Sequence, residues 1–338
     1  MTKAPQVEGE EAIIQGFLAP LAAGYPGAFG LRDDCAAITP ARGCDLIVKT
    51  DPIAEGVHFS PDARPEDIGW KALAVNVSDL AAKGATPRAY LMALSFPHAP
   101  TADWMQRFAN GLADAQAAFG MHLIGGDTDR RPGPITVSIT VFGEVPTGRM
   151  VQRATAGVGD GIWVSGTLGA AAIGLALDRE PDLATAWGLD QGEVAELLSR
   201  LHRPRPRLGL AEVLRAHASA AMDLSDGLAK DLDRMCRASR CGGRVRLAAI
   251  PMAPGVAKAV AADPALWAAV VAGGDDYEVL VGVPQHKADA FASDVDTATV
   301  GFPMTCIGTM VTGSGVFLEH PDGRPLTLDR TGWEHFSP

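Results

Sequence analysis

Aspartates set beside glycines are the residues whose type and spacing could do chemistry in this sequence. Asp33 and Asp34 are adjacent. Asp127 follows Gly125-Gly126, Asp223 and Asp226 flank Leu224-Ser225 ahead of Gly227, and Asp275 and Asp276 follow Gly273-Gly274. Asp51 at the end of a strand-like run and Asp79 near the end of a helix-like run complete the set. Carboxylate oxygens are hard ligands of the kind magnesium takes. Neighbouring glycines let a metal ion or a phosphate approach the main chain. The formal net charge is −11, so a polyanionic substrate would meet repulsion unless carboxylate-held divalent ions offset it. Asp beside Gly is also ordinary turn chemistry, and Asp caps helices, as Asp226 is placed to do for the helix after it. Spacing alone leaves turn, cap and ligand open, and the first two are the commoner uses.

The elements that must position these groups follow from periodicity. Glu10 to Leu21 reads as a helix, preceded by a loose tail over residues 1–9. Asp45 to Thr50 reads as a strand, Pro65 to Ala82 as a helix closed by Gly84, Arg88 to Phe96 as a strand and Thr101 to Phe119 as a helix. Met121 to Ile124 reads as a short strand ending at the glycine pair. Ile135, Val137, Ile139 and Val141 alternate with Thr136, Ser138 and Thr140, a strand with one buried face. The turn-rich Val145-Pro146-Thr147-Gly148 marks a boundary, giving domains 1–148 and 149–338. Beyond it, strand-like Ile162 to Ser165 leads through Gly166 and Gly169 into an Ala-rich helix. Ala220 to Leu224, Tyr277 to Val283 and Thr305 to Gly308 are strand-like, and Leu228 to Ala238 is helical. The expected class is two-domain α+β and α/β with mixed sheets.

Several function classes are excluded. There is no GxxxxGK[ST] loop, no HRD and DFG pair, and no HExxH, and GVGDG at Gly157 to Gly161 does not satisfy GxGxxG. The acidic balance without a basic stripe argues against nucleic acid as a partner. No stretch reaches the roughly 18 apolar residues of a membrane span. The five cysteines form no CxxC and read as reduced thiols, and Met1 to Glu11 is polar and acidic, unlike a signal peptide. The expected location is cytoplasmic.

Seven motifs stand in order: RDDCAAI (Arg32 to Ile38), TDPIAEGVHF (Thr50 to Phe59), KALAVNVSDLAAKGATP (Lys71 to Pro87), LIGGDTDR (Leu123 to Arg130), DLSDGLAKDL (Asp223 to Leu232), GGDDYE (Gly273 to Glu278) and WEHF (Trp333 to Phe336). In that order they resemble the thiamine-monophosphate kinase family, from about Glu10 to the end. The resemblance implies an aminoimidazole ribonucleotide synthetase-like fold whose N-terminal domain forms the interface of a homodimer. It also implies ATP bound in a cleft with several magnesium ions, and thiamine monophosphate as the acceptor.

Position by position, the resemblance implies metal ligands at Asp34, Thr50, Asp51, Asp79, Asp127, Asp223 and Asp226. It implies nucleotide contacts at Gly126, Asp127, Arg153 and Ser225, and substrate contacts at His58, Asp275 and Trp333. No general base is assigned, because a phosphate-monoester acceptor is already a nucleophilic dianion near neutral pH. The chain departs from the family at three of these places. Arg32 stands where glycine usually precedes the paired aspartates, Lys49 where a Ser or Thr hydroxyl precedes Thr50-Asp51, and Asp275 where glutamate is usual. A protonated lysine cannot ligate magnesium. Lys49 therefore either points to solvent or lays a fixed positive charge on the acidic cluster, to which Arg32 would add a second. Rival readings are another ATP-dependent enzyme of the same superfamily and a non-catalytic nucleotide-binding regulator. No Cys precedes Cys35 and the chain ends His335-Phe336-Ser337-Pro338, unlike the cysteine-bearing members of that superfamily.

Overall fold

The computed structural model describes residues 6–297, 301–320 and 322–334. The chain forms two compact units, one of residues up to Leu80 with Ala85–Gly148, the other of Ala81–Gly84 with the residues from Arg149 on.

The first unit is built on a four-stranded sheet of β1 (Cys44–Ala54), β2 (Thr86–Phe96), β3 (Leu123–Arg130) and β4 (Thr136–Pro146), in the order β1-β4-β2-β3. β4 is antiparallel to both β1 and β2, while β2 and β3 run parallel. A parallel pair needs a crossover, here the helix Ala102–Phe119. Its N-terminus is closed by the Thr101 hydroxyl, which accepts from Trp104 N, and its C-terminus by left-handed Gly120. The helix Pro65–Ala82, α1, has the bounds its sequence signals gave. Val137, Ile139 and Val141 are buried as their alternation requires, with Met92 and Leu94 of β2. On the other face Ala22, Ala28, Ile38, Leu91 and Phe142 form a small apolar cluster, whereas Val48 of β1 is 56% exposed.

Three expectations change here. Gln6 pairs with Thr101 and Val7 N donates to Pro100 O, so these tail residues are tied down. The Glu10 helix changes pitch twice, α over Glu10–Ile13, π over Ile14–Leu18 and 3-10 over Ala19–Ala22, where Pro20 has no N–H to extend an α ladder. Asp51 and Asp127 lie inside β1 and β3 rather than at strand ends. Pro52 does not stop β1 because an edge strand tolerates proline, and Gly125 and Gly126 pair in register with Leu91 and Met92.

The second unit holds a six-stranded mixed sheet of β5 (Gly161–Ser165), β6 (Ala220–Asp223), β7 (Gly242–Arg246), β8 (Val279–Val283), β9 (Met304–Val311) and β10 (Val316–Glu319), in the order β10-β7-β9-β5-β8-β6. Its core joins Ile162 and Val164 of β5 with Ile173 of the helix Ala170–Arg179 and Leu232 of the helix Leu228–Ser239, α2. Each of those helices turns an apolar stripe inward. Among the described residues no helix is long and apolar enough to cross a membrane.

Candidate active site

In the first unit a strand and a helix meet through two matched spacings. Side chains two apart on a strand share a face, so Lys49 and Asp51 of β1 point the same way. Side chains three apart on a helix are neighbours, so Asn76 and Asp79 of α1 form the opposing pair. Asn76 is fully buried. Its Oδ1 accepts from Asp51 N at 2.8 Å, and its Nδ2 donates to Asp51 O at 3.3 Å and to Ala72 O at 3.1 Å. β1 is an edge strand, and this amide stands in for the missing strand at Asp51. One turn on, Lys49 Nζ lies 2.9 Å from Asp51 Oδ2 and 2.9 Å from Asp79 Oδ2. Lys49 therefore does not point to solvent. Burial opposes its charge, but the Asp79 and Asp51 carboxylates outweigh that and hold the lysine well above its ordinary range. Asp51 is raised, first by burial and against the pull of Lys49.

The remaining first-unit residues are spread around this contact. Thr50 faces the other way. Its hydroxyl donates to Ile139 O at 3.1 Å and accepts from Thr140 at 3.0 Å, so the structure does not bring it to the Asp51 carboxylate. His58 closes the turn after β1, its Nδ1 accepting from Ala54 N at 3.0 Å. That bond leaves Nε2 as the donor. Buried Lys71 donates to the His58 carbonyl. Asp127 is exposed, its Oδ1 accepting from Thr128 N at 2.9 Å. Gly126 before it passes so close to β2 that a Cβ would lie 1.8 Å from Met92 O. Arg32 and Asp34 are exposed, and neither forms an ion pair among the described residues. The second fixed charge expected from Arg32 is therefore not on the Asp51–Asp79 pair.

The second unit gathers five predicted residues in one loop cluster. The Asp223–Asp226 loop leaves the end of β6 and is bonded along its main chain: Tyr277 N donates to Leu224 O and Asp275 N to Ser225 O, each at 2.8 Å, and Trp333 N to Asp226 O at 3.1 Å. Gly274, with φ +75°, lies against Ser225 O, where a Cβ would be at 2.7 Å. Asp275 and Tyr277 also adopt left-handed φ of 62° and 49°, a strain of the kind that surrounding structure must enforce. Trp333 is 48% exposed, so its ring is not a core group. Of the terminal motif, His335 and Phe336 lie outside the described residues. Arg153 is exposed, beside β6, since neighbouring Gln152 accepts from Ala221 N.

Asp226 is not the helix cap. The N-cap of α2 is Gly227. Buried Asp231 in the first turn reaches back and accepts from Ser225 N at 3.0 Å and Asp226 N at 2.9 Å. The Asp226 carboxylate itself meets Arg234 at 2.6 Å and Lys230 at 3.3 Å. Burial pushes Asp231 up to about 6, against the pull of the Asp226 amide. Asp276 turns inward, accepting from Gly169 N at 2.9 Å at the start of the following helix. Burial pushes it up to about 7.

Two domain families match the chain: AIR synthase related protein, N-terminal domain, over residues 32–145, and AIR synthase related protein, C-terminal domain, over residues 157–320. The thiamine-monophosphate kinase of Escherichia coli O157:H7 is 41% identical over 310 residues, 91% of this chain and 92% of that one. This chain belongs to the thiamine-monophosphate kinase family. The solved thiamine-monophosphate kinase of Stenotrophomonas maltophilia K279a superposes with a TM-score of 0.76 at 38% identity, covering 88% of this chain and 91% of that one. AaThiL complexed with AMPPCP and TMP superposes with a TM-score of 0.74 at 30% identity, covering 88% and 89%.

The magnesium that the family implies can be tested against these donors. Among the described residues no three His, Cys, Asp or Glu side chains form a ready-made metal cage. Magnesium is usually held by one or two carboxylates and completed by water and substrate phosphates. Exposed Asp34 and Asp127 fit that pattern, and Asp223 at the end of β6 offers the same chemistry. The Asp51–Asp79 pair does not, because Lys49 already fills it. The sequence reading missed Asn76, Lys71 and Asp231. A signal existed in each: an amide and a lysine within an apolar helical run, and an aspartate one turn into α2.

Proposed function

We propose that this chain transfers the γ-phosphoryl group of ATP to thiamine monophosphate, giving thiamine diphosphate and ADP, as a cytoplasmic homodimer. The observation that carries the reading is the second-unit loop cluster, where main-chain bonds tie Ser225 and Asp226 to Asp275 and Trp333. An exposed indole on the same loop cluster as Asp275 suits a ligand that is both aromatic and cationic, and the thiazolium ring is both. The relative AaThiL, solved with AMPPCP and TMP, supports the same pair of ligands.

An acceptor phosphate oxygen attacks the γ-phosphorus in line, the bond from that phosphorus to the β-phosphate oxygen breaks, and ADP leaves. The acceptor's second pKa is about 6, so it attacks as a dianion and no proton is removed. The chain's work is alignment and charge. Arg153 supplies planar bidentate donors to phosphate, with Ser225 and the main chain at Gly126 as further nucleotide contacts. His58 offers Nε2–H, Trp333 a stacking face, and Asp275 a counter-charge one methylene shorter than the usual glutamate. Magnesium held by Asp34 and Asp127 in the first unit and by Asp223 in the second would neutralise phosphate charge, whereas the Asp226 carboxylate is already met by Arg234 and Lys230. Val48, Thr50 and Pro52, exposed on one face of β1, support a dimer contact through the first unit.

The test is product formation. ATP, thiamine monophosphate and excess magnesium should yield thiamine diphosphate and ADP one to one. ADP released at the same rate without thiamine monophosphate, or no product from folded protein, would overturn the reading. Tight nucleotide binding without turnover would instead indicate a regulator.

A further inference from the structure

We propose that the Lys49 ammonium is a built-in cation that replaces one divalent ion between Asp51 and Asp79. The inference deepens the functional reading and rests on it for the role of the acidic pair, although its geometry does not. Lys49 Nζ is 2.9 Å from one oxygen of each carboxylate. Two carboxylates sharing a cation through one oxygen apiece is a bridging arrangement. A magnesium ion there would require both oxygens within about 2.1 Å of itself, in the volume the ammonium fills.

The position is enforced from both sides. Asn76 fixes the Asp51 main chain at its N–H and its C=O. Asp79 lies one helical turn further along α1 on the same side. Lys49 is carried by the same strand as Asp51 and shares its face. The ammonium thus reaches the gap without distortion of either element, and it arrives with folding rather than by binding. It has three donors and no acceptor, so it can neutralise carboxylates but cannot ligate a metal or a phosphate-bound ion. It carries one charge where a divalent ion carries two. The first unit should then hold one fewer divalent ion than a hydroxyl at this position would allow, and its acidic pair should be ordered without metal.

The test counts ions. Manganese is the probe, followed by its electron paramagnetic resonance on titration into Lys49→Ser, Lys49→Met and the unaltered protein, first with no nucleotide and then with AMPPCP. Thermal stability is read on the same samples. Lys49→Ser and Lys49→Met should each bind one more manganese per chain and gain a manganese-dependent rise in Tm that the unaltered protein lacks. Asp79→Asn added to either variant should abolish both gains. Equal manganese counts in all three proteins, or a gain that survives Asp79→Asn, would overturn the proposal. If Lys49→Ser does not fold without metal but folds with manganese, that rescue itself supports it, and failure to rescue in both variants counts against it. The arm without nucleotide does not depend on kinase activity, so a failed product assay and a failed ion count are distinguishable.

Discussion

Asn76→Ala should be among the most damaging single changes in the first unit. The side chain is fully buried and makes three hydrogen bonds, two to Asp51 and one to Ala72. Alanine removes all three and leaves the Asp51 N–H and C=O without a partner at the edge of β1. A net hydrogen bond contributes about 1 kcal/mol, and a buried group left unsatisfied costs about 1–3 kcal/mol. The helix can settle slightly and water can reach an edge strand, so the lower part of that range applies, about 2–4 kcal/mol in all. Domains of this size lose about 2–4 °C in Tm per kcal/mol, so a fall of roughly 5–15 °C is expected. The same change frees the Asp51 main chain, and the Lys49–Asp51–Asp79 contact loses its fixed strand. Turnover measured well below the new Tm should fall at least tenfold, about 1.4 kcal/mol in barrier. Differential scanning calorimetry and single-turnover product formation on the same preparation read both. A Tm change under about 2 °C would refute the edge-pairing argument. A large Tm change with unaltered kcat would make Asn76 a stabilising residue with no hold on the site.

Three further outcomes are expected. Asp127→Asn should lower kcat more than tenfold, over ~1.4 kcal/mol in barrier, with Tm unchanged, because its exposed carboxylate makes only a local bond to Thr128; retention of most turnover would leave it a strand residue without a chemical role. Trp333→Ala should weaken thiamine monophosphate binding more than ATP binding by calorimetry, since the ring is half-exposed; equal losses would assign it to packing. Asp276 is raised by burial to about 7, so the native state keeps its proton where the unfolded chain has lost it. Its contribution to stability is complete below the ordinary aspartate range and is lost as pH rises through about 7. Stability of the unaltered protein relative to Asp276→Asn should therefore fall as pH rises across that window; a difference that is flat or rises with pH would contradict the assignment.

Much of this was legible in the sequence, and what was not has identifiable causes. The bounds of α1 follow from Pro65, the acidic first turn and Gly84. The face of β4 follows from strict alternation of Val137, Ile139 and Val141 with polar residues. β1 and β3 were read too short because Pro52 and the Gly125-Gly126 pair are stop signals in a single chain, whereas pairing with neighbours decides whether a strand continues. Asp226 looked like a cap because caps are local, but the N-cap is Gly227 and the Asp226 carboxylate is drawn instead to Arg234 and Lys230. The Lys49 contact could be framed but not decided. Strand alternation places Lys49 with Asp51, but only the packing of α1 shows that Asp79, rather than water, receives the ammonium. Thr50 could have been separated from Asp51 on alternation alone, since adjacent strand residues face opposite ways.

The net charge of −11 gives a poor account of what a phosphate meets in either unit. Fixed charges on a protein surface act over about 8 Å at physiological salt, so the local balance matters more than the total. In the first unit Lys49 lies on Asp51 and Asp79. In the second, Arg234 lies on both Asp226 and Asp231, and Lys230 on Asp226. Three of these pairs are close in sequence: Arg234 with Asp231 at i, i+3 on α2, Lys230 with Asp226 at i, i+4 across its N-terminus, and Lys49 with Asp51 two apart on β1. Those spacings hold charge in register without long side-chain reach. Acidic residues such as Glu10 and Glu11 in the first helical turn add to the total. The compensation is partial where Lys49 faces two carboxylates, one positive charge against two negative. It is partial in the second unit too, where Arg234 and Lys230 together face Asp226, Asp231 and Glu334.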